Sequence, residues 1–141
     1  MEVLILLSSI SDLSEKIWGT IREAVPEVPT EAYSSIDKYF DRLRRPKNTE
    51  VIAILQIDDN ETLSKIRLNS ELFSDVRTIL ILSNSDKTTL ENGYKLRPRF
   101  IFNAHRDLET FAQILQNMAD KAKKNVCLSS CESEPNNSNY F

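Results

Sequence analysis

The sequence predicts an α/β fold, a doubly wound parallel sheet of five strands lying between two layers of helices. Three observations carry that prediction. Val3–Leu7, Val51–Ile57 and Thr78–Leu82 are apolar runs of strand length, the pattern of central parallel strands covered on both faces. The segments between and after them place apolar residues at helical spacing. The resulting order, βαβαβαβαβα, implies parallel strands joined by crossover helices on both faces of one sheet. At 141 residues the chain is one domain with room for a sizeable core.

Each element has its own local cause. After Val3–Leu7, Ser11 and Asp12 offer an N-cap, and Asp12 with Glu15 has capping-box spacing. Leu13, Ile17, Ile21, Ala24 and Val25 then share one face, so 12–25 is an amphipathic helix; Pro26 ends it and Pro29 keeps the following chain extended. Glu31–Tyr33 is a short, less apolar strand. Ser34 and Ser35 cap a second helix, in which Ile36, Tyr39, Phe40 and Leu43 follow the i, i+3, i+4, i+7 pattern before Pro46 stops it. Val51–Ile57 leads to Asp58, Asp59 and Asn60 as caps of a third helix over 60–73, with Leu63, Ile66 and Phe73 inward. Asp58 and Glu61 stand at capping-box spacing there.

Thr78–Leu82 is followed by Ser83, Asn84, Ser85 and Asp86, which open a short helix around Thr88–Lys95. Arg99–Phe102 is the last strand. Asp107 caps the longest helix, where Leu108, Phe111, Ala112, Leu115, Met118, Ala119 and Ala122 form one apolar face. Lys121, Lys123 and Lys124 suit the negative C-terminal end of its dipole. Residues 125–141 are rich in Ser and Asn, carry no base and read as a flexible polar tail, which leaves 1–124 as the folded body.

Rare residues exclude much chemistry. Two glycines cannot make a GxGxxG fingerprint and stand at no Walker A spacing, and one histidine cannot build HExxH or a His-rich zinc site. No GxSxG elbow accompanies that histidine. The expectation is therefore a protein that is not an enzyme and that holds no cofactor and no metal. No apolar run approaches ~18 residues, so no membrane span is expected. The segment MEVLILLSSI has an acid rather than a base ahead of its short apolar stretch, unlike a signal peptide. Both cysteines, Cys127 and Cys131, fall in the tail, and a cysteine-free body fits a reducing, cytoplasmic location. Net charge is −3, with Glu132 and Glu134 in the tail, so the body is near neutral.

Five βα units over about 124 residues, with these element lengths, resemble the response-regulator receiver domain, the CheY-like family. The resemblance covers nearly the whole body. It implies a three-layer, flavodoxin-like fold with strand order 2-1-3-4-5 and a site at the carboxyl ends of the strands. The family places an acidic, Mg²⁺-holding pair after strand one, where this chain has Ser8-Ser9. Its phosphoacceptor aspartate ends strand three, where strand-length matching puts Gln56 or Leu55, with Asp58 and Asp59 just beyond. Its hydroxyl after strand four is matched by Ser83. Its lysine closing strand five has no counterpart in Asn103-Ala104-His105-Arg106. Neutral hydroxyls do not replace carboxylates around a hard dication. Ser8, Ser9, Gln56, Asp58, Ser83 and Asn103 thus form a degenerate phosphorylation pocket, and the chain reads as a pseudo-receiver.

Other features have readings beyond the pocket. Receivers dock partners on the surface of helix four, strand five and helix five. Tyr94, Arg97 and Phe102 are accordingly candidate partner-binding residues, with core packing the alternative for Phe100 and Phe102. Trp18, beside Gly19, either covers the sheet or belongs to a dimer face, so a homodimer stays open. His105 is read as solvated or near a cap. The basic runs Arg42-x-Arg44-Arg45-x-Lys47 and Lys95-x-Arg97-x-Arg99 lack interleaved aromatics and read as solvated faces rather than nucleic-acid contacts. Cys127 and Cys131, four apart, read as incidental thiols.

The expected function is that of a non-catalytic receiver-like signalling domain acting by protein–protein interaction in a two-component system or phosphorelay. With no output domain in the chain, its effect passes through a signalling protein partner or self-association, with no nucleic acid and no membrane involved. Two alternatives stay open: a divergent receiver still phosphorylated on Asp58 or Asp59, and a flavodoxin-like module binding a small anionic ligand through Ser8, Ser9, Ser83 and the caps of the first, third and fourth helices.

Overall fold

A computed structural model describes residues 1–7, 12–46, 49–83 and 86–130, with the backbone alone for 122–130. Strands and helices alternate: β1 Glu2–Leu6, α1 Asp12–Ala24, β2 Thr30–Tyr33, α2 Ile36–Arg44, β3 Val51–Ile57, α3 Asn60–Leu68, β4 Arg77–Leu82, α4 Lys87–Tyr94, β5 Phe100–Asn103 and α5 Leu108–Ser130. The five strands form one sheet in the order β2-β1-β3-β4-β5, and every neighbouring pair is parallel. This is the doubly wound, flavodoxin-like architecture expected.

The strands divide their side chains between two cores. Val3, Ile5, Ile52, Ile54, Ile79 and Ile81 face α1 and α5, where Ile17, Ile21, Phe111 and Leu115 meet them. Leu4, Leu6, Ala53, Leu55, Leu80 and Leu82 face the other layer, which supplies Tyr39, Phe40, Leu43, Leu63 and Ile66. Burying each large aliphatic or aromatic side chain contributes about 1.5–3 kcal/mol, so these two cores hold the layers together. The Tyr39 hydroxyl donates to the Leu4 carbonyl at 2.8 Å, pinning α2 to β1. Burial pushes its pKa well above the ordinary tyrosine value, which keeps it a neutral donor.

Three differences from the sequence expectation have local causes. The third helix does not run over 60–73. It stops at Leu68, where the Asn69 side-chain amide donates to the Lys65 carbonyl at 2.9 Å, and a 3-10 turn follows over Ser70–Phe73. That turn brings the Phe73 ring within 6.5 Å of Tyr39 and 6.4 Å of Phe40. α5 continues to Ser130 instead of ending at 124, since no Pro or Gly interrupts 125–130. Arg42 is not part of a solvated basic face: it is mostly buried and pairs with Glu2 on β1 and, at 3.2 Å, with Glu31 on β2, tying the edge strand to the sheet. Lys47 lies outside the described residues.

Candidate functional site at the carboxyl edge of the sheet

The edge is built by register. Ile57 pairs with Leu82, and the Ser83 amide donates to the Ile57 carbonyl at 3.2 Å. The next residue on each strand therefore arrives side by side, and the Ser83 hydroxyl donates to the Asp58 carboxylate. One strand further, Leu82 pairs with Asn103, and the Ala104 amide donates to the Leu82 carbonyl at 2.9 Å. Ser83 thus sits between Asp58 on one side and the end of β5 on the other.

Asn103 shapes its own turn. Its side-chain oxygen accepts from the amides of His105 at 2.8 Å and Arg106 at 3.2 Å, an Asx-type turn. Its amide donates to an Asp107 carboxylate oxygen at 2.8 Å, and the Asp107 carbonyl accepts from the Phe111 amide at 2.8 Å as α5 begins. His105 is exposed on this turn.

The acidic pair after β3 splits between two tasks. Asp59, not Asp58, caps α3: its carboxylate accepts from the Thr62 amide at 2.7 Å. The Thr62 amide bond lowers the Asp59 pKa below the ordinary carboxyl value. The sequence could not separate the two, because both have cap chemistry; one residue of register leaves Asp58 facing β4 instead. The same register corrects the strand-length match. Leu55 lies in the core against α2 and α3, and Gln56 is fully buried toward α1, where its side-chain oxygen accepts from the Ser14 hydroxyl at 2.9 Å. Among the described residues Gln56 Nε2 has no hydrogen-bond partner. The carboxylate beside the strand-four hydroxyl is Asp58.

Ser14 was not foreseen as a neighbour of this edge. The signal was present, since Ser14, Ile17 and Ile21 stand at i, i+3, i+7 and all are buried on α1. Ser8, Ser9 and Cys131 lie outside the described residues, and Cys127 is placed only as backbone within α5. Of the partner-binding candidates, Tyr94 is 65% exposed and Arg97 is exposed with φ 54°, immediately before Pro98. Phe102 instead lies in the core, between Phe100 at 5.7 Å and Phe111 at 5.6 Å, because its position on β5 points toward α5. It offers no surface to a partner.

A divalent metal at this edge would need several oxygen ligands. Residues 7–11 read Leu-Ser-Ser-Ile-Ser and bring no carboxylate to the end of β1. Among the described residues no group of three acidic, histidine or cysteine side chains converges. Among the described residues the donor set does not fit Mg²⁺. None of the described helices is long and apolar enough to cross a membrane.

No protein-family model and no curated protein matches the sequence. Solved structures do match. A response-regulator receiver domain from Rhodospirillum rubrum superposes with a TM-score of 0.61 at 12% identity, over 82% of this chain and 89% of its own. The phosphorylated cyanobacterial phytochrome response regulator RcpA gives 0.56 at 13% identity, over 88% and 95%. A Burkholderia pseudomallei response regulator with a phosphorylated aspartic acid gives 0.56 at 16% identity, over 92% and 75%. The strand order, the crossovers and these superpositions together give the chain the flavodoxin-like fold of response-regulator receiver domains.

Proposed function

We propose that the chain is a receiver-like recognition domain of a two-component-type signalling system, acting through protein–protein contact and performing no phosphoryl chemistry itself. The observation that carries this reading is the make-up of the carboxyl edge. Transfer of a phosphoryl group onto aspartate needs a metal to neutralise the phosphoryl oxygens and a cation for the developing charge. Here the edge has Asp58 against a hydroxyl, two serines where the resemblance implies the metal-holding acids, and Asn103 where it implies lysine. Asn103 uses its side chain to fold the turn into α5. A cytoplasmic signalling protein as partner, no cofactor, and a polar tail after α5 belong to this reading.

Thermal melting with and without Mg²⁺ and beryllofluoride tests it, because a ligand that binds only the folded state raises the melting temperature. No shift is expected; a rise that needs both additives overturns the reading. The Asp58–Ser83 contact favours a second reading, a divergent receiver still phosphorylated on Asp58. Borohydride trapping after exposure to acetyl phosphate distinguishes the two: an adduct on Asp58 establishes the second, and an unmodified Asp58 supports the first.

A further inference from the structure

A cavity of about 270 Å³ lies among the described residues between α1 and the carboxyl ends of β1 and β2. Leu7, Trp18 and Tyr33 form its apolar walls, and Ser14, Ser34 and Glu15 bring two hydroxyls and one carboxylate. The aromatic walls are held in place. Arg22, one turn along α1, lies over the Trp18 ring at 5.6 Å from its centroid. Tyr33 packs edge-on against Tyr39 with centroids 5.7 Å apart, and its hydroxyl donates to Glu31 at 3.1 Å. The cavity lies at the carboxyl ends of the strands, the edge at which open α/β sheets take ligands, on the β2 side of the β1/β3 switch point.

The charge of the walls selects the ligand. Glu15 is their one charged group; it is exposed, and among the described residues no cation pairs with it. Aromatic faces attract cations through the negative charge of the ring face; Arg22 already takes one face of Trp18, which leaves to a ligand only the parts of Trp18 and Tyr33 that line the cavity. The positive end of α1 would favour an anion, but Asp12 in its first turn already answers it, which leaves Glu15 to the ligand. At this volume the cavity has space for about one ring and a short chain, less than a drug-sized ligand needs. We infer that the cavity is a binding site for a small organic cation with one apolar ring, of the arylalkylamine class. The inference is independent of the recognition role, since binding here neither requires nor excludes a response to Mg²⁺ and beryllofluoride.

Trp18 is the only tryptophan, so its emission reports on the site directly. The full chain is titrated with phenethylamine, with 2-phenylethanol as the uncharged control and 3-phenylpropanoate as the anionic one. Amide chemical shifts map each compound. The expected result is a saturable change with phenethylamine, a weaker one with the alcohol and the weakest with the carboxylate, with shifts clustered at Leu7, Ser14 to Trp18, Tyr33 and Ser34. Glu15→Gln removes an exposed first-turn charge of α1 and should lower the melting temperature only slightly. It should weaken the amine about threefold, the size of one exposed charge pair, without affecting the alcohol. Equal binding of amine and carboxylate, an amine affinity that Glu15→Gln does not change, shifts centred elsewhere, or no saturable response to any of the three each overturn the inference.

Discussion

Over residues 51–55 of β3 every side chain is apolar and buried in one of the two cores. Over the next four, Gln56 to Asp59, three of the four side chains are polar and each has a different partner: Ser14 on α1, Ser83 after β4 and the first turn of α3. One strand therefore passes from dry core to polar edge within two residues. The two stretches answer to different physics. The middle is specified by volume and face, and a one-residue slip would turn every side chain to the wrong layer. The edge is specified by pairs of hydrogen-bonding groups, any of which can change while the sheet persists. The sheet can therefore keep its fold while the chemistry of its edge changes.

Damage to the middle should be the most severe. Phe111 is fully buried, packs 5.6 Å from Phe102 and closes the core under α5. Phe111→Ala should cost about 3–5 kcal/mol, from lost burial plus the cavity left behind. Urea denaturation measures it. A loss below about 1 kcal/mol would mean that α5 repacks freely, and that the middle is less specified than the edge.

The boundary between the two stretches is Gln56, buried among aliphatic side chains with Nε2 unpartnered. Removing only its partner, by Ser14→Ala, should cost about 1–3 kcal/mol, because the buried Gln56 oxygen loses its donor. Ser14→Ala combined with Gln56→Leu removes both halves and the unpartnered amide. It should return to the parent stability or exceed it. A double-mutant cycle reads the coupling directly; additive losses would show that Gln56 does not depend on Ser14.

The contrast also explains what the sequence revealed. Apolar runs and helical spacing report on the middle, so Val51–Ile57 and α2 were legible from the pattern of apolar residues alone. Ser83 was legible because it ends the run Thr78–Leu82. The roles of Asp58 and Asp59 were not, because both residues have cap chemistry and only the pairing of Ile57 with Leu82 decides which of them meets Ser83. Gln56 was matched to the position of the family's acceptor because it sits near the end of an apolar run; its burial toward α1 depends on which layer its face meets. The Arg42 cluster joins three elements, Glu2, Glu31 and Arg42, that lie far apart along the chain. The aromatic cavity depends on how far α1 reaches across β2, a distance no periodicity encodes.

The smallest effect belongs to the edge and depends on pH. Asp59 caps α3 through the Thr62 amide, and that bond favours its charged form, so its pKa in the folded chain lies below the ordinary carboxyl value. A group whose pKa falls on folding stabilises the fold where it is ionised in both states, above about pH 4, the unfolded carboxyl pKa. The contribution is lost as pH drops through the lower folded pKa. Asp59→Ala should cost about 1 kcal/mol at neutral pH, the ordinary value of an N-cap. Asp59→Asn keeps a capping oxygen but not the charge, so it should lose less at neutral pH and nothing in acid. Melting curves of parent and Asp59→Asn should therefore differ slightly at pH 7 and converge as the parent carboxylate is protonated. Curves that stay apart by the same margin in acid would assign the effect to cap geometry rather than to the charge of Asp59.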